Sequence, residues 1–112
     1  MSIGERLRTI RNVFGMTQKE LGMACGMADS AIRKYESNTV APKLETLQKI
    51  AKAFNLSVVF ILGKPPFDDL EYLKQHKTAI ISQLQAMRIF NEKIKPDDVS
   101  LKDFFVLTDR WL

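Results

Sequence analysis

The stretch that decides the fold is TQKELGMACGMADSAIRKYESN, residues 17–38, in which apolar residues recur at helical spacing around two glycines. Thr17 and Glu20 form a capping-box pattern, which opens a helix that runs to Cys25. Gly26 ends this helix, because glycine tolerates the left-handed conformation that other residues resist at a helix C-terminus. A second short helix, from about residue 28 to residue 37, follows the turn.

Gly22 lies inside the first of these helices, where it costs about 1 kcal/mol relative to alanine. That cost is explained if the second helix crosses the first at a steep angle and the two backbones approach closely at Gly22. Such a crossing also needs apolar residues at fixed offsets, which the chain supplies as Leu21, Cys25, Ile32 and Tyr35. The stretch therefore predicts a helix-turn-helix motif.

The flanking sequence predicts further helices on both sides of the motif. Ser2 and Glu5 form another capping-box pattern, which opens a helix that ends at Gly15. Pro42 begins a fourth helix, closed by Asn55, and a short fifth helix covers residues 58–62. The sequence GKPP, residues 63–66, cannot continue a helix. We expect an all-α fold with a helix-turn-helix domain over residues 1–63, a linker over 64–67 and a two-helix region over 68–112.

The region after the linker has its own apolar pattern. A long helix is expected from about residue 68 to residue 91, and we call its apolar positions the heptad seam: Leu70, Leu73, Ile80, Leu84 and Met87. Lys77 interrupts this seam, and a final helix carries Phe104, Phe105 and Trp111 on one face. The seam predicts dimerisation with a second copy of the chain. Packing of these helices on the chain's own N-terminal domain is the alternative.

Composition limits the classes of function. With 46% hydrophobic and 27% charged residues, the 112-residue chain has the composition of an ordinary globular protein. No apolar run approaches the roughly 20 residues of a membrane span and the charged N-terminus does not fit a signal peptide, so we expect a cytoplasmic protein without a membrane partner. One cysteine and one histidine cannot build a disulfide or a protein zinc site. Neither a metal nor a cofactor is expected.

Positive charge is concentrated in the N-terminal part of the chain. Residues 1–66 hold ten Lys or Arg against five Asp or Glu, whereas residues 67–112 hold seven against eight. A basic half favours a polyanionic partner such as nucleic acid, although a solvated basic surface has the same composition.

Four sequence segments, TQKEL, GM at the turn, IRKYESN and PKLETLQKIAKAFNLS, make residues 3–62 resemble the Cro/cI-type helix-turn-helix regulators, which are typified by phage repressors. The resemblance implies a five-helix domain similar to that of lambda repressor. It also implies binding to double-stranded operator DNA as a homodimer, with the third helix in the major groove.

The third helix supplies the expected base contacts. With Ile32 and Tyr35 facing the core, its opposite side presents four polar residues to base edges: Asp29, Ser30, Arg33 and Lys34. Arg33 or Lys34 can donate to guanine, and Asp29 can accept from cytosine. A carboxylate at position 29 also stabilises a helix start, so both roles stay open for Asp29.

Phosphate contacts are expected on both sides of this helix. Gln18 begins the second helix, where its amide and the free backbone N–H groups can bind a phosphate. Ser37 ends the exposed face, and the resemblance adds three residues after it: Asn38, Thr39 and Lys43. For Lys43, a solvated surface lysine is the alternative. The resemblance also implies that Arg11 and Glu36 form a structural pair between the first and third helices.

Three functions compete. The first is a sequence-specific transcriptional regulator, a repressor that binds a palindromic operator as a dimer. The second is an antitoxin-like protein that neutralises a partner enzyme through residues 67–112 and regulates its own operon. In either case the aromatic residues Phe104, Phe105 and Trp111 complete a dimer core or bind a regulatory protein partner. An enzyme is disfavoured, because the titratable residues are scattered over helix surfaces.

Overall fold

The computed structural model describes residues 1–111, with the backbone alone for Trp111. The described residues form a 3-10 turn at Pro96–Asp98 and eight α-helices, and no strand occurs among them. The helices are α1 (Ile3–Val13), α2 (Gln18–Cys25), α3 (Asp29–Glu36), α4 (Leu44–Phe54), α5 (Val58–Leu62), α6 (Leu70–Gln75), α7 (Lys77–Ala86) and α8 (Leu101–Trp111). The prediction of an all-α fold is confirmed.

The first five helices lie close to the predicted positions, and local signals mark several of their ends. Thr17 and Glu20 form the reciprocal capping box of α2, with each side chain accepting from the backbone N–H of the other residue. Gly26, Asn55 and Gly63 end α2, α4 and α5 in the left-handed conformation, with φ of 72°, 56° and 77°.

Gly22 lies where α3 begins to cross α2. A Cβ atom added at Gly22 would lie 2.6 Å from the carbonyl oxygen of Met27 and 3.3 Å from the backbone nitrogen of Asp29. Both neighbours are backbone atoms that cannot move without shifting the start of α3. The close approach predicted from the glycine is therefore present, and α2 and α3 form a helix-turn-helix motif.

One hydrophobic core extends through both parts of the chain. Phe60 of α5 is fully buried, and its ring centroid lies 4.9 Å from that of Phe67 and 5.3 Å from that of Phe105 in α8. Phe67, expected in the linker, is itself a core residue with 4% exposure. The region after residue 67 thus packs on the helix-turn-helix domain.

The prediction of a single long helix over residues 68–91 is wrong. His76, with φ −107° and ψ 17°, separates α6 from α7, and α7 ends at Ala86. The break shifts the buried face by one residue, so that Ile81 is fully buried and Ile80 only half-buried. One residue corresponds to about 100° around a helix, which lets α6 and α7 each turn an apolar face to the core.

Most of the predicted dimer interface is used inside the chain. Five of its members are buried in the single chain: Leu70, Leu73, Leu84, Phe104 and Phe105. Met87 is 60% exposed, and the side chain of Trp111 lies outside the described residues. Lys77, which interrupts the heptad seam, donates from Nζ to the carbonyl oxygen of Val99 in the same chain. For these residues, the structure agrees with the alternative expectation, in which the helices after the linker pack on the chain's own N-terminal domain.

Two polar contacts tie the C-terminal region to the domain. The buried guanidinium of Arg6 donates to the carbonyl oxygens of Phe60, Ile61 and Asp68, which connects α1 with the end of α5 and the chain that follows it. Burial lowers the pKa of Arg6, and Asp68 partly offsets this effect. At the other end of α5, the Asp109 carboxylate of α8 accepts from the backbone N–H of Ser57 at 2.8 Å.

Candidate nucleic-acid interface

The exposed face of α3 carries all four expected base-contacting residues. Ile32 is 1% exposed and packs in the core, whereas four polar side chains on the opposite side are exposed: Asp29, Ser30, Arg33 and Lys34. Their spacing along one helix places them on a single surface. This surface has the width of one helix and presents both donors and acceptors, as contact with base edges in a major groove requires.

Asp29 and Arg33 are paired on this face. The Arg33 Nη2 atom donates to Asp29 Oδ2 at 3.5 Å across one helical turn, with both side chains about half exposed or more. An exposed pair of this kind contributes only about 0.3 to 0.5 kcal/mol to stability. The pair therefore adds little to the stability of α3, and both side chains remain on the surface that would face DNA.

Glu36 connects α3 to the rest of the domain. Its side chain is fully buried, and Arg11 of α1 donates to it from Nε at 2.6 Å and from Nη2 at 2.9 Å. Burial alone would raise the pKa of Glu36, but hydrogen bonds from Arg11 and Gln18 outweigh it, so the pKa lies below its ordinary value. The hydrogen bond to Glu36 likewise raises the pKa of Arg11. The structural pair implied by the resemblance is therefore present.

Two more side chains converge on Glu36. The Gln18 amide donates from Nε2 to Glu36 Oε1 at 3.2 Å, so the residue expected to bind phosphate is held in place by the end of α3. Arg8 donates from Nε to the same oxygen at 3.4 Å, and its side chain stays 60% exposed. Sequence reasoning missed Arg8, although its position one turn before Arg11 was a usable signal.

The segment after α3 contains the remaining expected phosphate contacts. Ser37 Oγ donates to the carbonyl oxygen of Lys34 at 3.2 Å and lies 2.8 Å from Thr39 Oγ1. Lys43 is exposed at the start of α4, beyond these contacts. The side chain of Asn38, by contrast, reaches across to α1, where Oδ1 accepts from the Gly4 N–H at 3.1 Å.

Cys25 fits the core role expected for it. The residue is buried at 9% exposure, and burial raises the pKa of its thiol, an effect that Lys49 partly offsets. A raised pKa disfavours the reactive thiolate.

Among the described residues, no helix is both long enough and apolar enough to cross a membrane.

Comparison with known proteins gives a family model and several relatives. The family model described as helix-turn-helix matches residues 7–61, which span α1 to α5 except for the first turn of α1 and the last residue of α5. The HTH-type transcriptional regulator ImmR of Bacillus subtilis (strain 168) is 29% identical over 101 residues, which cover 90% of this chain and 74% of ImmR. No solved structure gives a significant match.

Two further relatives bear on the competing functions. The cryptic phage CTXphi transcriptional repressor RstR of Vibrio cholerae is 33% identical over 73 residues, 65% of each chain. The antitoxin PezA of Streptococcus pneumoniae is 26% identical over 92 residues, which cover 73% of this chain and 58% of PezA. Some other relatives are matched over only about half of their length.

Proposed function

We propose that this chain, which belongs to the Cro/cI-type helix-turn-helix family of transcriptional regulators, is a sequence-specific repressor that binds a palindromic operator as a homodimer. Its α3 would lie in the major groove, with the exposed face toward the base edges. Transcriptional repression is the function for which the relative RstR is named.

The observation that carries this proposal is the way α3 is held. Its apolar side is fixed by Ile32 in the core, and its last turn is fixed by the Glu36–Arg11 pair. The face with Asp29, Ser30, Arg33 and Lys34 is left exposed. A rigid helix with an exposed polar face loses little conformational freedom on binding, which favours discrimination between base pairs.

Phosphate contacts would come from residues on both sides of α3. We add Arg8 to the expected phosphate-contacting residues, because its side chain is exposed beside Glu36. Its guanidinium can neutralise a phosphate, which releases the counterions of that phosphate. Gln18 keeps one amide N–H beyond its bond to Glu36. Lys43 remains exposed and can approach the backbone of the same duplex.

The homodimer requires a surface other than the buried part of the heptad seam. In α5, Val59 is 46% exposed and Leu62 is 40% exposed, and the two lie one turn apart on the same helix face. A palindrome requires a two-fold arrangement of two α3 helices, and therefore a dimer. We assign the contact between the two copies to this face, because its apolar side chains are exposed in the single chain. Leu62→Glu should then halve the mass of the full chain in sedimentation at micromolar concentration, whereas Met87→Glu should not change it. A wild-type chain that sediments as a monomer at this concentration would contradict the proposed dimer.

The test of the function is in vitro selection from random double-stranded DNA by the full chain, at about 150 mM salt so that non-specific phosphate binding is suppressed. The proposal predicts a palindrome whose half-site centres lie about 34 Å apart, one helical turn of DNA. Enrichment of a single half-site would support DNA recognition without the dimer. Absence of any enriched sequence from a folded protein would contradict the proposed function.

The antitoxin-like function is the second candidate, favoured by the match to PezA, which extends beyond the helix-turn-helix part. It would use residues 67–112 to bind a partner enzyme. Their buried aromatic residues Phe104 and Phe105 already pack in the chain's own core, so a partner would have to use the outer surface of α6 to α8. A small toxin gene next to this one, and co-purification of its product with the full chain, would favour this function.

A further inference from the structure

We infer that Asn38 is a positioning residue, which caps α1 from across the fold and thereby sets the orientation of the C-terminal end of α3. This inference rests on the proposed function, since it assigns α3 to DNA. It departs from the expectation that Asn38 binds a phosphate directly.

The first observation is the hydrogen bonding of the Asn38 side chain. Oδ1 accepts from the backbone N–H of Gly4 at 3.1 Å, and Nδ2 donates to Ser2 Oγ at 3.0 Å. Ser2 Oγ in turn accepts from the backbone N–H of Glu5 at 3.1 Å. Free N–H groups in the first turn of a helix need such acceptors. Ser2 supplies one locally, and Asn38 supplies another from a position 34 residues away.

The second observation is the packing that surrounds this contact. A Cβ atom added at Gly4 would lie 2.5 Å from the carbonyl oxygen of Glu36, 2.6 Å from that of Tyr35 and 2.8 Å from Asn38 Oδ1. The first turn of α1 therefore touches the backbone of the last turn of α3 directly. We call the hydrogen bonds of Asn38 with Ser2 and Gly4 the α1–α3 clamp.

The third observation is the backbone conformation of Asn38. Its φ is 60°, in the left-handed region where glycine is favoured and asparagine is tolerated. A glycine here would make the same turn without a side chain. The asparagine therefore adds a function that the turn itself does not need, and its two polar groups are both directed at α1.

The clamp supplies a second point of attachment for the end of α3. Glu36 is held by Arg11 from the middle of α1, and Asn38 is held by the first turn of α1. Two separate points prevent α3 from pivoting about the Glu36 ion pair. Lys34, one turn before Asn38 on the exposed face, is the base-contacting residue whose placement depends most on this restraint.

The test uses the full chain with Asn38→Gly, which keeps the left-handed turn accessible and removes the side chain. Asn38→Asp serves as the rescue variant, because a carboxylate oxygen can still accept from the Gly4 N–H. Three quantities are measured: hydrogen exchange of the Gly4 amide, the melting temperature, and affinity for the selected duplex relative to a shuffled duplex of the same composition.

For Asn38→Gly, the clamp predicts faster exchange at Gly4, by roughly fivefold for one lost hydrogen bond. It also predicts that the ratio of selected to shuffled affinity falls by roughly fivefold or more, since a displaced α3 loses base discrimination. Asn38→Asp should restore both the slow exchange and the ratio, even if its charge weakens binding to both duplexes.

Equal weakening on both duplexes with unchanged exchange at Gly4 would overturn the inference, since that is the result of a lost direct phosphate contact. A lowered melting temperature with an unchanged ratio would also overturn it, because it would show a purely structural role. If the wild type selects no sequence, the proposed function fails, and exchange at Gly4 in the two variants still decides whether the clamp exists.

Discussion

At the scale of single residues, Glu36 connects three helices of the candidate site, because Arg8 and Arg11 of α1 and Gln18 of α2 all donate to its buried carboxylate at the end of α3. Removing one partner of a buried ion pair typically costs about 3 to 5 kcal/mol, since the other charge is left without compensation. Glu36→Ala should therefore lower the melting temperature and weaken DNA binding together. An unchanged melting temperature would contradict the structural role of the pair.

The lowered pKa of Glu36 predicts how stability depends on pH. A carboxyl group with a folded pKa below its unfolded value of about 4.3 stabilises the fold above that pH, and the contribution is lost as pH falls through the folded pKa. The free energy of unfolding of the wild type should therefore decrease more steeply below about pH 4.3 than that of Glu36→Gln. Urea titrations between neutral and acid pH measure both slopes. Parallel slopes would show that Glu36 does not titrate in this way.

Asp29 allows the two roles left open by the sequence to be separated. We expect Asp29→Asn to change the order of preference among single-base variants of the selected duplex, because it alters a possible acceptor and the partner of Arg33 at once. Competition binding at fixed salt measures that order. The helix-start role predicts only a small loss of stability, of about 0.3 to 1 kcal/mol, with the order unchanged.

At the scale of helices and turns, the crossing of α2 and α3 depends on the absence of a side chain at Gly22. Alanine would gain about 1 kcal/mol in helix propensity, but its Cβ would lie 2.6 Å from a backbone oxygen. We expect a net loss, since overpacking typically costs about 1 to 3 kcal/mol. Gly22→Ala should also weaken DNA binding, because relief of the contact displaces the start of α3.

Gly15→Ala is the matched control for this substitution. Gly15 has φ 68°, and an added Cβ would meet no atom within 4 Å. The control should therefore lose only the roughly 1 to 2 kcal/mol of a left-handed alanine, with DNA binding unchanged below the melting temperature. Thermal melting and duplex titration of both variants decide the matter. A Gly22→Ala protein more stable than wild type would show that the close approach is not restrictive.

Several of the helix ends that the sequence predicts well carry a local signal. Capping boxes and left-handed residues act within a few positions, so they can be read directly from the chain at Thr17, Gly26 and Asn55. The break at His76 has no such signal, because it arises from the fit of α6 and α7 to a core that the rest of the chain builds. Tyr72 and His76, four residues apart, stack at this point with ring centroids 4.1 Å apart.

At the scale of the whole molecule, the two predicted regions share one core. Phe105 of α8 is fully buried against Phe60 of α5, so Phe105→Ala should cost about 3 to 5 kcal/mol. The loss should appear in amide hydrogen exchange of α1 to α5 as well as of α8. Met87→Ala, at a 60% exposed position, should stay within about 0.5 kcal/mol of wild type. Retained protection in α1 to α5 of the Phe105→Ala protein would show that the regions unfold independently.

The parts of the candidate site that depend only on helix periodicity could be predicted from the sequence. The exposed face of α3 follows from the positions of Ile32 and Tyr35 alone. The engagement of Asn38 and the burial of Arg6 depend on contacts over 34 and more than 50 residues, which no local pattern records. The heptad seam was assigned to a second chain for the same reason, because an apolar face does not specify what covers it.

The most direct test of the central claim, that the exposed face of α3 reads base sequence, is the affinity of Lys34→Ala for the selected duplex beside that of Lys93→Ala. Both remove one exposed lysine, but Lys93 lies in the loop after α7. We predict that Lys34→Ala loses about 1 to 3 kcal/mol of binding free energy and relaxes the preference at one base pair. Lys93→Ala should bind like wild type. Equal affinities of the two variants, with the same base preferences, would contradict the claim.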